Sequence, residues 1–136
     1  GKADGIVDAV DNYPARYILN RVAMEKGIPL FHGAIRGMYG QATTLIPGKT
    51  PCLACIFPKP PPPEEFPVIG VTPGLIGMVQ ATEVLKFLLG TGELLENRLF
   101  LWDGLQGQAT EIPVERNPSC EACGDREGKG RGRTGN

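Results

Sequence analysis

The chain has 136 residues, a length that suits one domain of modest size. Its 14 basic and 15 acidic residues give a net charge of −1, which excludes the strong basic excess typical of nucleic-acid-binding proteins. No segment approaches the ~18 uninterrupted apolar residues of a membrane span, because the most apolar one, residues 75–89, contains Gln80, Thr82, Glu83 and Lys86. No signal peptide is evident, so we expect a cytoplasmic protein.

The first half of the chain reads as strand, helix, strand, strand. A short apolar run over residues 5–10 precedes a helical pattern, which is typical of a buried parallel strand leading into a helix in an α/β fold. Asp11 or Asn12 is expected to cap this helix, and Gly27 to end it. Two further strands are predicted over residues 29–35 and 39–46.

The second half begins with a proline-rich stretch over residues 58–67, which predicts an extended crossing rather than helix or interior strand. A helix follows over residues 74–89. Its apolar residues fall on several faces, so we expect it to pack on more than one side. A strand pair is predicted over residues 98–102 and 108–114. Residues 125–136 contain no apolar side chain, and we expect a disordered tail.

All four cysteines fall in two C-x-x-C pairs, Cys52 with Cys55 and Cys120 with Cys123. Two such turns supply four thiolates, which complete a tetrahedral zinc site and leave no open position for catalysis. The two pairs lie too far apart in sequence for a zinc ribbon, so the site would clasp two distant segments. Two disulfides, two redox dithiols or an iron–sulfur centre are the alternatives. Structural zinc is favoured, and the missing secretory signal argues against disulfides.

Two aspartates, Asp8 and Asp11, flank the carboxyl end of the first predicted strand, where ligands bind in open α/β sheets. A carboxylate there can hold Mg²⁺ on nucleotide phosphates. Spacing alone favours the simpler interpretation, in which Asp11 only caps the helix. For the same reason Arg16 and Arg21 are expected on a solvated helix face, and His32 is expected to be packed or hydrogen-bonded.

Five segments, in this order, resemble the ThiF/MoeB/HesA adenylyltransferases, which are relatives of the ubiquitin-activating enzymes. They are D-A-V-D-N-Y-P-A-R-Y-I-L-N (8–20), G-A-I-R-G-M-Y-G-Q (33–41), P-C-L-A-C-I-F-P (51–58), G-V-T-P-G-L-I-G-M-V-Q-A-T-E-V-L-K (70–86) and C-E-A-C-G (120–124). The resemblance covers residues 1 to about 124. It implies the C-terminal half of a Rossmann-like ThiF/MoeB domain with a mixed sheet and a four-cysteine zinc clasp.

The resemblance also implies a function. The family uses MgATP to adenylate the C-terminal Gly-Gly carboxylate of a ubiquitin-like sulfur carrier, in molybdopterin, thiamine or tRNA-thiolation pathways. It assigns Asp11 as the catalytic aspartate at Mg²⁺ and ATP, Asn12 as its neighbour in the nucleotide site and Arg16 to the carrier-tail channel. It assigns the four cysteines as zinc ligands. Family members are usually homodimers, and we expect the 74–89 helix to belong to the core rather than to that interface.

Two departures from the family pattern bear on mechanism. The chain has no G-x-G-x-x-G, so the glycine-rich ATP loop would lie upstream, and the chain reads as an inactive fragment of the intact enzyme. Phe66 stands where many relatives carry a cysteine, which favours adenylation without a thioester. Two alternatives stay open: an activating enzyme for a ubiquitin-like modifier that does form a thioester, and a non-catalytic, zinc-clasped interaction subunit of the same fold.

Overall fold

The computed structural model describes residues 2–61 and 69–124. The expected tail, most of the proline-rich crossing and Phe66 therefore lie outside the described residues. Within them the elements are, in chain order, β1 (Ile6–Val7), α1 (Tyr13–Lys26), β2 (Leu30–Arg36), β3 (Tyr39–Leu45), α2 (Leu53–Ile56), α3 (Val71–Leu89), β4 (Arg98–Asp103) and β5 (Gln108–Pro113). No helix among the described residues has the length and apolar character needed to cross a membrane.

The five strands form one mixed sheet in the order β1-β2-β3-β4-β5, as the resemblance implied. β1 and β2 are parallel, with Val7 beside Phe31, and every later pair is antiparallel. β1 is shorter than predicted. The backbone N–H of Asp8 still donates to the carbonyl of Phe31, but the chain then leaves the sheet for α1. The carboxyl end of β1 therefore lies near the start of β2, beside Phe31.

The helices cover both faces of the sheet. On one face, α1 and α2 pack on β2 and β3 around a core of Ala23, Leu30, Leu45 and Leu53. On the other face α3 packs against the same two strands. Successive strand residues point to opposite faces, so Phe31, next to Leu30, contacts the ring of Phe87 on α3. The result is an α/β/α sandwich.

Glycine at two sheet positions allows α3 to approach closely. A Cβ added to Gly33 would lie 2.5 Å from Cδ of Gln80, and one added to Gly40 would lie 2.5 Å from Cγ1 of Ile76. Both distances are shorter than any real carbon–carbon contact, so a side chain at either glycine would push the helix away. The glycines of the 33–41 segment thus set the spacing between helix and sheet.

The expectation that α3 packs on more than one side, as part of the core, is wrong within the described residues. The stripe that it buries is largely polar: Thr72, Ile76, Gln80 and Glu83. Large apolar side chains of the same helix are exposed instead: Val71, Met78, Leu85, Leu88 and Leu89. Apolar residues on several faces of this helix therefore do not mark a helix enclosed by its own domain.

The polar residues of α3 can be buried because neighbouring groups of the sheet and its loops form hydrogen bonds with them. Gln80 Nε2 donates to the carbonyls of Asp8 and Phe31, at 2.9 Å each, where β1 stops pairing with β2. Glu83 accepts from the Thr44 hydroxyl at 2.7 Å and from the backbone N–H of Leu95. These bonds give partners to the buried carbonyl of Asp8, the Thr44 hydroxyl and the N–H of Leu95, and such groups are costly when left unpaired.

Candidate functional site

The connection from β1 to α1 carries two neighbouring polar side chains at the carboxyl edge of the sheet. Asn12 is the N-cap of α1, since its side-chain oxygen accepts from the backbone N–H of Ala15 at 2.8 Å. The interpretation of Asp11 as the helix cap is therefore wrong. The Asp11 side chain is exposed, and its Oδ1 accepts from Asn12 Nδ2 at 3.1 Å. The structure thus places a solvent-facing carboxylate just before the first turn of a helix.

The other aspartate of this connection, Asp8, is buried and fully engaged. Its Oδ2 lies 2.8 Å from Nε of Arg16 and 2.8 Å from Nδ1 of His32. Its Oδ1 accepts from the backbone N–H of Val10 at 3.3 Å. With both oxygens used and the side chain shielded from solvent, Asp8 holds the fold together here rather than offering a ligand.

The expectation that Arg16 lies on a solvated face of α1 is wrong. Arg16 is 5% exposed, its Nη2 donates to the carbonyl of Val10 at 2.7 Å, and its guanidinium lies 4.7 Å from the centre of the Tyr13 ring. Arg21 is exposed, as expected. Arg16 therefore fixes the segment that carries Asp11 and Asn12. Its assignment to a carrier-tail channel stays a prediction.

His32 is packed and hydrogen-bonded, which confirms the expectation for it. Its ring is completely buried between the carboxylate of Asp8 at Nδ1 and the amide of Gln41, whose Nε2 lies 3.1 Å from the ring Nε2. Burial lowers the pKa of His32, although the hydrogen bond to Asp8 acts in the opposite direction. His32 is therefore neutral near pH 7, with its proton on Nδ1 facing the carboxylate.

The four cysteines, called here the cysteine clasp, come together as predicted. Their sulfur atoms all lie within 4.8 Å of one another, and none is disulfide-bonded. Cys52 Sγ lies 3.7 Å from that of Cys120 and 3.9 Å from that of Cys55, and Cys55 Sγ lies 3.2 Å from that of Cys123. Sulfurs around a tetrahedral metal with ~2.3 Å bonds are about 3.8 Å apart. The clasp can therefore hold one metal ion.

The chemistry of these donors also fits a metal. Burial raises the pKa of the Cys52 thiol and of the Cys123 thiol. Without a cation these side chains would therefore stay protonated at neutral pH. A bound metal ion reverses this, because coordination favours the thiolate form.

The clasp is connected to the aspartate segment through α1. The side-chain oxygen of Asn20 accepts from the backbone N–H of Leu53 at 3.0 Å, and the Tyr17 hydroxyl donates to the carbonyl of Phe57. The Phe57 ring lies 6.0 Å from the ring of His32 and 5.7 Å from that of Tyr13. The position of the clasp thus determines where Phe57 covers the buried histidine.

The architecture is an α/β fold that solved structures of low sequence identity share. The chain superposes on the crystal structure of E. coli MccB with ATP with a TM-score of 0.78 and 18% sequence identity. The superposition covers 91% of this chain and 40% of MccB. The heterocyclase TruD matches over 93% of this chain and 23% of its own, with a TM-score of 0.77 and 20% identity. At such low identity these likenesses show the fold alone.

The family follows from the sequence. The model of the ThiF family matches residues 1–122, and the chain belongs to that family. It is 46% identical over 129 residues to the SAMP-activating enzyme E1 of Haloferax volcanii, and 44% identical over 133 residues to the sulfur carrier protein adenylyltransferase of Thermus thermophilus. The chain spans about half the length of these two relatives, since the alignments cover 90% of it but 47% and 49% of them.

Replacement of one clasp cysteine should release the metal. We expect Cys120→Ser to reduce bound metal to a small fraction of that in the wild type and to lower the melting temperature by roughly 10 °C, because metal binding is coupled to folding. Metal content by mass spectrometry and a thermal melt check this. The neighbouring exposed Ser119→Ala is the matched control and should change neither value. Unchanged metal content in Cys120→Ser would mean that the clasp binds no metal.

The buried histidine should make stability depend on pH. Its folded pKa lies below the unfolded value, so the unfolded chain binds the additional proton as the pH falls through about 6.5. Stability is therefore present above that pH and is lost below it, at a slope of up to about 1.4 kcal/mol per pH unit. Urea unfolding between pH 7.5 and 5 should show a steeper loss in the wild type than in His32→Asn. Since the chain has one histidine, equal slopes would show that His32 is not buried in its neutral form.

Proposed function

We propose that the intact enzyme uses MgATP to adenylate the C-terminal Gly-Gly carboxylate of a ubiquitin-like sulfur-carrier protein and releases pyrophosphate. The observation that carries the proposal is the exposed carboxylate of Asp11, held beside Asn12 at the carboxyl edge of the sheet. Membership of the ThiF family and relatives named for activating sulfur carriers and SAMPs support it. The carrier and its pathway are left to experiment.

The reaction brings two anions together. An oxygen of the carrier carboxylate attacks the α-phosphorus of ATP and forms a new bond to it. The bond from the α-phosphorus to pyrophosphate breaks, and pyrophosphate leaves. The attack requires that negative charge on the phosphates be screened and that the groups be held in line. Mg²⁺, when bound, supplies that screening. Asp11 is free of the capping role and is exposed, so it is the residue that we assign to hold the ion.

The buried residues act on the reaction by fixing this segment. Arg16 binds the carbonyl of Val10 and the carboxylate of Asp8, so the chain cannot move freely on the N-terminal side of Asp11. Asn12 fixes its other side by capping α1. Arg16 would therefore contribute to the carrier-tail channel by shaping its wall, because its own charge is already matched by Asp8.

The metal of the clasp is proposed to be zinc with a structural role. Four cysteine sulfurs close the coordination sphere of Zn²⁺ and leave no position for substrate or water. No cysteine of this chain would then be left as a nucleophile, since its four cysteines all lie in the clasp. The other residues that contact ATP, including the glycine-rich loop and the ribose-binding residue, are proposed to come from sequence outside these 136 residues.

One relative supports the alternative in which a thioester follows adenylation, because the Haloferax volcanii protein is named an activating enzyme E1. Phe66, in place of the cysteine that the family pattern has, favours a reaction that stops at the acyl-adenylate. A non-reducing gel of the reaction with carrier distinguishes the two. A band that joins carrier to enzyme and disappears with thiol would support the thioester.

Loss of the Asp11 carboxylate should abolish the reaction without disturbing the fold. We expect Asp11→Asn in the intact protein to reduce carrier-dependent ATP–pyrophosphate exchange by at least ~10³-fold, since a metal ligand at the reacting phosphates is lost. The melting temperature and metal content should be unchanged because Asp11 is exposed. Asp4→Asn, also at an exposed aspartate before α1, is the matched control. Wild-type exchange in Asp11→Asn would remove Asp11 from the site.

We also propose that the intact enzyme is a homodimer and that the exposed face of α3 lies in the interface. Its exposed apolar residues recur with the spacing of a helix-packing seam: Val71, Met78, Leu85 and Leu88. The two charged residues of α3, Glu83 and Lys86, pair with each other, so the seam is uncharged. Contiguous exposed apolar surface of this kind is typical of an interaction site.

A charge placed in the seam should therefore separate the subunits. We expect Met78→Glu to convert a dimer into a monomer in sedimentation velocity at micromolar concentration, because two buried carboxylates would face the interface unpaired. Ile18→Glu on α1 is the matched control, since Ile18 is a similarly exposed apolar residue away from α3. A Met78→Glu protein that sediments as the wild type does would show that α3 is not in the interface.

A further inference from the structure

A chain of three polar side chains runs from the buried interior towards the carboxyl edge of the sheet. It begins at Asp8, continues through His32 and ends at Gln41 on β3. Asp8 and His32 are inaccessible to solvent, whereas Gln41 is partly exposed. The proposed reaction uses neither His32 nor Gln41, so a role for this chain of hydrogen bonds needs a separate explanation.

The hydrogen bonds allow one orientation of the Gln41 amide. A carboxylate paired with a guanidinium only accepts hydrogen bonds, and Asp8 is paired with Arg16, so His32 must donate to it from Nδ1. The other ring nitrogen is then an acceptor, and Gln41 must present its amide nitrogen to it. The same nitrogen donates to the Tyr13 hydroxyl at 3.5 Å. The amide oxygen Oε1 is thereby turned away from His32.

Gln41 is linked to the proposed site of adenylation through Tyr13. Tyr13, which its amide contacts, is the first residue of α1 and directly follows the Asp11–Asn12 pair. On the sheet Gln41 is opposite Ala34, beyond the point where β1 ends. A side chain with an oxygen acceptor of fixed direction therefore contacts the residue that directly follows the segment assigned to the phosphates.

A Gly-Gly tail has no side chains, so an enzyme can recognise the tail only through its backbone. Each backbone N–H that leaves water must find an acceptor, because an unsatisfied buried donor is costly. We propose that Gln41 is a carrier-binding residue whose Oε1 accepts a hydrogen bond from a backbone N–H of the Gly-Gly tail, with His32 and Asp8 as the positioning residues. The inference rests on the proposed function and names the contact that recognises the tail.

The test is steady-state ATP–pyrophosphate exchange by the intact protein with a ubiquitin-like sulfur-carrier protein that ends in Gly-Gly. Gln41→Met keeps the side-chain length and removes the acceptor. We expect it to raise the KM for the carrier by about five- to tenfold, with kcat and the KM for ATP within twofold of the wild type. Gln108→Met, at an exposed glutamine on β5, is the matched control and should change none of these values.

A second variant tests the positioning role. His32→Asn retains an N–H donor for Asp8 but loses the acceptor that orients Gln41, so it should raise the KM for the carrier in the same direction. A purely structural role for His32 would lower the melting temperature and leave that KM unchanged. Combining His32→Asn with Gln41→Met should raise the KM little further than Gln41→Met alone, since the two changes remove the same contact.

A modified carrier identifies the hydrogen bond itself. Semisynthetic carriers in which the N–H of the last or of the penultimate glycine is replaced by an ester oxygen lack one donor each. With one of these two carriers the wild type and Gln41→Met should have equal KM values. An active wild type together with an unchanged carrier KM in Gln41→Met would overturn this inference alone. A folded, metal-loaded wild type without carrier-dependent exchange would overturn the proposed function, and this inference with it.

Discussion

The buried carboxylate of Asp8 is the constraint on which the rest of the structure depends. Burying a charged group costs free energy unless the group is paired and hydrogen-bonded. Asp8 is paired with both Arg16 and His32. Its backbone carbonyl also accepts from Gln80. One residue thereby ties the end of β1 to α1, β2 and α3. The exposed Asp11 three residues later is held at a defined place because its surroundings on the chain are fixed.

The cysteine clasp supplies the second constraint, about one helical turn further along α1. It joins the start of α2 to the 117–124 segment and so sets the position of Phe57, whose ring covers His32. α1 carries contacts to both, since Arg16 meets Asp8 near its start and Asn20 meets Leu53 further along. A metal that closes the clasp would thus stabilise the aspartate segment without touching substrate.

Local signals in the sequence were enough for much of this fold. Apolar patterning predicted β2 and β3 to within a residue at each end, and C-x-x-C spacing predicted the clasp. Features that depend on contacts with residues distant in sequence could not be predicted from these local signals. Asp11 and Asn12 are both good caps, and only the path of the turn selects Asn12. Arg16 is buried because it pairs with the carboxylate of Asp8, and Gln80 is buried because its amide donates to the carbonyls of Asp8 and Phe31. The assignments of Asp11, Asn12 and Arg16 to substrate come from family resemblance and stay predictions.

We propose that this ThiF-family chain belongs to an enzyme that activates a carrier by adenylation. This proposal is tested most directly by ATP–pyrophosphate exchange on the intact protein, with and without a small carrier that ends in Gly-Gly. Labelled pyrophosphate should enter ATP when the carrier is present and should not enter it when the final glycine of the carrier is removed. A folded, metal-loaded protein that shows no exchange with any such carrier would contradict the proposal and would favour the non-catalytic interaction subunit.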